Sequence, residues 1–106
     1  MTKVFYREYY DNTLIVIEGH SGFAESGKDV VCAGVSALVF TLVNCIRDEE
    51  AKDRLKLHKD IVREGYVCLE IESFDFSKER ISAITDTCIT GLLMLHEHYP
   101  EYVRFE

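Results

Sequence analysis

Two hydrophobic rhythms divide the chain. Residues 3–9, KVFYREY, and 13–18, TLIVIE, are rich in β-branched and aromatic side chains and predict the two strands of an antiparallel hairpin. Asp11 and Asn12 between them tolerate positive φ and are the expected tight turn. The rhythm lapses over residues 21–28, SGFAESGK, where two glycines and two serines predict a mobile loop. From 30 to 46 the run VVCAGVSALVFTLVNCI carries no charge, and Asp29 before it is the expected helix cap. This helix is expected to be buried over most of its circumference and to fade in the charged stretch 47–53.

Alternation returns over residues 55–73, where Val67, Leu69 and Ile71 alternate with Cys68, Glu70 and Glu72. Glu64 and Gly65 mark a second hairpin turn, and Lys59 and Asp60 interrupt the hairpin's first strand. Ser77 is the expected cap of a second helix, in which Ile81, Ile84, Cys88, Leu92 and Leu95 recur at helical spacing until Pro100 stops it. Residues 102–105 add a short strand. The order ββαββαβ predicts an α+β two-layer sandwich, a mostly antiparallel sheet with two helices on one face.

Composition narrows the function classes. The chain has 106 residues, enough for one core, with 12 Lys and Arg against 19 Asp and Glu and a net charge of −7. There is no basic footprint for a phosphate backbone, so no direct nucleic-acid partner is expected, while basic polypeptides suit an acidic surface. The uncharged run of seventeen residues falls short of the roughly 20 that span a bilayer, so no membrane partner is expected. Cys32, Cys45, Cys68 and Cys88 form no C-x-x-C pair, and MTKVFYREYY does not read as a signal peptide. Free thiols in a cytoplasmic protein follow as an expectation.

Two constellations carry candidate chemistry. Residues 22–28 satisfy G-x-x-x-x-G-K, but Asp29 stands where a phosphate loop needs Ser or Thr for magnesium, and Glu25 adds a second repelling carboxylate. A glycine-hinged loop explains the match better than nucleotide binding. The other constellation is Cys32 with His20. With Asp29 as cap, Cys32 is the third helical residue, where unpaired amides and the helix dipole favour a thiolate. An imidazole beside it would take the proton and return it to a leaving amine, and amides near Ala33 would stabilise an oxyanion. Spacing alone leaves this open, because a cysteine within VVCAGVSAL is more often a small buried hydrophobe.

Gly19-His20, then Gly22, then 29–38, DVVCAGVSAL, together with Tyr99-Pro100-Glu101-Tyr102-Val103 near the end, resemble the ribosomal-processing cysteine protease (Prp) family. The resemblance implies a single protease domain over 1–106, homodimeric and free of metal and cofactor. It implies removal of a short N-terminal extension from protein twenty-seven of the large ribosomal subunit, cut after paired phenylalanines, in support of ribosome assembly. It places the catalytic pair on His20 and Cys32, with Asp29 and Ser36 as supporting residues. The glycines Gly22 and Gly27 would let the loop open and close over substrate, with Phe23 packing on the substrate's aromatic side chains. More apolar circumference on the first helix than one sheet face can cover agrees with a second subunit. The alternative is a non-catalytic acidic assembly module that holds a basic ribosomal protein, with Cys32 in the core.

The remaining residues read as structural. His96 and His98 lie on opposite sides of a helix, cannot share a metal, and are expected to be solvated. His58 reads as a surface strand residue. Cys45, Cys68 and Cys88 read as inert, Cys45 and Cys88 on core faces of the helices. Gly34 either admits a close neighbour or merely relieves packing, and Tyr6, Tyr9 and Tyr10 suit either recognition or hairpin packing.

Overall fold

The computed structural model describes residues 1–25 and 27–106; Ser26 of the expected loop lies outside the described residues. Strands β1 (Thr2–Tyr9) and β2 (Asn12–Glu18) are followed by α1 (Val30–Ala51), β3 (Leu55–Arg63) and β4 (Tyr66–Ser73). A 3-10 turn (Asp75–Ser77) then leads to α2 (Lys78–His98) and β5 (Val103–Phe105). The sheet order is β3-β4-β2-β1-β5, antiparallel throughout except for the parallel β1–β5 pair. This is the expected α+β arrangement in the expected order.

Alternation builds the inner sheet face. Val4, Ile15, Ile17, Val67, Leu69 and Ile71 are buried, and Val31, Val35, Val39, Leu42, Val43 and Ile46 of α1 share their core with Ile81, Ile89 and Leu92 of α2. Each such side chain stabilises the fold by about 1.5–3 kcal/mol through lost water contact. Gly34 sits against Leu95 of α2, at ordinary van der Waals distance even for an added Cβ. It therefore relieves packing and does not enforce a close approach.

Several local expectations are corrected. The first turn has its positive φ at Tyr10, because Asn12 already pairs with Tyr9 in the strand register. The interruption in β3 is a register shift between Leu57 and Lys59, which leaves His58 as the extra residue. Ser77 precedes α2 but does not cap it with its side chain; its hydroxyl donates to the Arg54 carbonyl, with the Phe74 carbonyl 3.1 Å away, tying the helix start to the residue before β3. The first helix is longer than the uncharged run, 22 residues, and by length and apolarity it could cross a membrane. It is not buried over most of its circumference: one stripe packs on the sheet, while Val30 and Phe40 are exposed. Cys45 is exposed and not on a core face, unlike Cys68 and Cys88, which are buried. His96 is half-buried and shares a 2.6 Å hydrogen bond with the Val103 carbonyl, so it links α2 to β5 where a solvated residue was expected.

At its C-terminal end α1 carries a buried carboxylate. Glu49, 3% exposed, accepts from Arg54 at 2.8 Å and from Arg80 at 2.7 Å, which joins α1 to the turn before β3 and to α2.

Candidate active site

The opposite end of α1 places the candidate chemistry. Asp29 has extended backbone and is the N-cap: its Oδ1 accepts the Cys32 amide at 2.8 Å. Its Oδ2 accepts the Ser21 hydroxyl at 2.5 Å and the amides of Phe23 and Ala24 at 3.1 and 3.4 Å. One carboxylate thus gathers the loop and the first helical turn. Desolvation pushes this carboxyl up, but the hydrogen bonds from Ser21 and from the Cys32 and Ala24 amides outweigh it and hold it well below the usual carboxylate range. Asp29 is therefore an anion at neutral pH.

Cys32 is half-buried in the first turn. Its Sγ accepts the Ser21 amide at 3.2 Å, and the thiol donates to the Ser21 hydroxyl oxygen at 3.4 Å. The Ala33 amide bonds to the Asp29 carbonyl at 3.0 Å, so it closes the first helical hydrogen bond and is not free for an oxyanion, contrary to the sequence expectation.

His20 follows the end of β2 and is exposed. Its backbone is fixed on both sides. The Gly19 amide donates to the Gly65 carbonyl at 2.8 Å, and the His20 carbonyl accepts from the amino group of Met1. Gly19 has φ +92°, and an added Cβ would stand 2.3 Å from the Met1 carbonyl oxygen, so only glycine fits before the histidine. The ring rests on Gly65, whose added Cβ would lie 3.0 Å from Nε2. Both the packing surface for the imidazole and the turn between β3 and β4 depend on that glycine, at φ +72°.

His20, Cys32 and Ser36 line one cavity of about 520 Å³, with Val35, Val39, Phe40 and Val62 supplying apolar walls and Arg63 and Glu64 supplying charge. Among the described residues the hydrogen bonds of the sulfur run to Ser21, and none runs to the imidazole. The fold thus brings the two expected residues to one cavity without joining them. Gly22 and Gly27 have positive φ, at +74° and +87°. Phe23 packs edge-on against Tyr99 and Tyr102, with ring centroids 5.5 and 5.2 Å apart, so its ring is engaged by the chain's own aromatic pair. Among the described residues these three loop positions do not line the cavity. No group of three or more described His, Cys, Asp or Glu residues is placed to hold a metal ion.

Ser21 is the site residue that sequence reasoning missed. It is 2% exposed and bonds to both Cys32 and Asp29. Its adjacency to His20 was the available signal, but no periodicity says which loop residue folds back onto a helix start.

The family model for cysteine protease Prp matches residues 1–104. The ribosomal processing cysteine protease Prp of Staphylococcus aureus is 30% identical over 92 residues, 87% of this chain and 83% of that protein. The protein of the same name from Bacillus subtilis is 44% identical over 48 residues, 43% of each chain. A crystal structure of an essential ribosomal processing protease Prp from S. aureus, in complex with a covalently linked product peptide, matches with a TM-score of 0.77 and 26% identity. That match covers 100% of this chain and 98% of the other. With the family model matched over residues 1–104 and the fold matched over the whole chain, the chain belongs to the Prp family of ribosomal-processing cysteine proteases.

Proposed function

We propose that the chain is an endopeptidase that removes the N-terminal extension of protein twenty-seven of the large ribosomal subunit, cutting after paired phenylalanines. Cys32 attacks the scissile carbonyl, and His20 takes the thiol proton and returns it to the leaving amine. The observation that carries this reading is one cavity lined by both the Cys32 thiol and the His20 imidazole, with the sulfur already accepting a backbone amide. The covalently linked product peptide of the S. aureus relative supports a covalent route. Asp29 supports the nucleophile by fixing the first helical turn, and Ser36 supports it from the cavity wall. The apolar walls suit an aromatic substrate side chain, and the loop at Gly22, Phe23 and Gly27 shifts to admit the extended peptide.

The cavity binds a basic ribosomal protein in the cytoplasm, attracted by the net charge of −7, with neither nucleic acid nor membrane as a direct partner. Exposed Val30, Phe40 and Met94 on the helices support a homodimer. No metal or cofactor takes part in the proposed steps.

The test is mass spectrometry of the extended ribosomal protein after incubation. Loss of the extension after the phenylalanine pair, and its block when the pair becomes two alanines, is the expected result. An intact substrate, or a cut elsewhere, would overturn the assignment.

A further inference from the structure

Ser21 joins the thiol of Cys32 to the carboxylate of Asp29, yet the proposed chemistry does not use it. Its amide donates to the Cys32 sulfur at 3.2 Å, its hydroxyl donates to Asp29 at 2.5 Å, and the same hydroxyl oxygen receives the thiol at 3.4 Å. A hydroxyl has one proton to donate, so it serves either Asp29 or the sulfur at any moment. While the thiol keeps its own proton, the carboxylate is the stronger acceptor and takes the bond. Once that proton leaves, the thiolate faces the lone pairs of Ser21 unless the hydroxyl turns.

Asp29 tolerates the turn. Its oxygens keep the amides of Cys32, Phe23 and Ala24, so releasing the hydroxyl does not strand the carboxylate. From this geometry we infer that Ser21 is a positioning residue whose hydroxyl passes its hydrogen bond from Asp29 to the Cys32 sulfur as the thiol loses its proton. The proton from sulfur goes to His20; the Ser21 proton stays on its oxygen and only changes direction, so no bond to it breaks. The other charged or titratable groups on this cavity are His20 after β2, Arg63 at the end of β3, Glu64 from the turn between β3 and β4, and Tyr66 from β4. None of them is hydrogen-bonded to the sulfur among the described residues.

The inference rests on the reading of Cys32 and His20 as the reacting pair, and its test separates the two. Iodoacetamide labelling of Cys32 at pH 7, followed by peptide mass mapping, reads the sulfur without any substrate. Ser21→Ala is expected to slow labelling about fivefold, the advantage of a charge-assisted hydrogen bond over a neutral one. The same variant lowers kcat by a similar factor and leaves KM nearly unchanged, whereas Ser21→Thr restores both. Circular dichroism verifies the fold, and where the added methyl of Thr disturbs it, the Ser21→Ala labelling rate decides alone. Labelling of Ser21→Ala at the unsubstituted rate would overturn the inference, as would a well-folded Ser21→Thr that is as slow as Ser21→Ala. Cleavage of the ribosomal substrate by Cys32→Ala would instead remove the nucleophile assignment and leave the labelling result standing.

Discussion

At each end of α1 a carboxylate is held below its ordinary titration range by several donors, but the donors differ in kind. Glu49 is met by two guanidinium groups, Arg54 from the turn after α1 and Arg80 from α2, so its contacts fix that turn and tie the two helices. Asp29 is met by a hydroxyl and backbone amides, and the residue that supplies the hydroxyl, Ser21, also reaches a sulfur that opens on a cavity. The first corner is closed by side-chain ion pairs and holds the fold together. The second is assembled from loop backbone and leaves the Cys32 sulfur facing a cavity, as the proposed attack on a peptide requires.

Substitutions at the two ends should therefore separate activity from stability. The largest effect is expected from His20→Ala, which should lower kcat about 10²–10⁴-fold, the range for loss of a general acid–base, while the melting temperature barely moves. A large fall in melting temperature would merge the two ends and break the distinction. Asp29→Ala should lower kcat/KM up to about 100-fold by displacing the sulfur, with a smaller loss of thermal stability than Glu49→Ala. Glu49→Ala should show the reverse pattern: a loss of about 3 kcal/mol and about 15 °C in melting temperature, with kcat of the folded fraction retained. The lower part of the range for broken buried pairs applies because water reaches Arg54 and Arg80, whose side chains are 31% and 57% exposed.

The Glu49 corner also sets a pH dependence. Arg54 lowers its carboxyl most, burial opposes this, and Arg80 lowers it further. Because the folded value lies below the ordinary 4.5, the unfolded chain binds more protons between the two values, and stability rises with pH there. The contribution is complete above the unfolded value and disappears as pH falls through the folded one. Urea midpoints for the unsubstituted protein and Glu49→Gln should thus converge on acidification; a constant gap would contradict the ion-pair account. The smallest effect concerns the sulfurs in the α1–α2 groove. Burial pushes the Cys88 thiol up to about 11, whereas Cys45 is exposed, so alkylation at pH 8 should modify Cys45 and leave Cys88 intact.

How much of this was legible in the sequence depended on the range of the determinant. Alternation at Val67, Leu69 and Ile71 and the charge-free run after Asp29 are local signals, and the strands and the cap follow them. Gly19-His20 and DVVCAGVSAL located the candidate thiol and imidazole. Ser21 stayed hidden because its partners lie eight and eleven residues away, across a loop with no periodicity. Cys45 was misplaced because a uniformly apolar helix does not reveal which stripe meets the sheet. Ser77 occupies the cap position but spends its hydroxyl on Arg54, a contact set by how β3 passes the helix start.

The central claim, that the N-terminal end of α1 carries the chemistry on one particular sulfur, is tested most directly by comparing Cys32→Ala with Cys45→Ala on the extended ribosomal substrate, with products identified by mass. Cys32→Ala should leave the substrate intact while Cys45→Ala cuts at the unsubstituted rate. Cleavage that survives in Cys32→Ala would contradict the account.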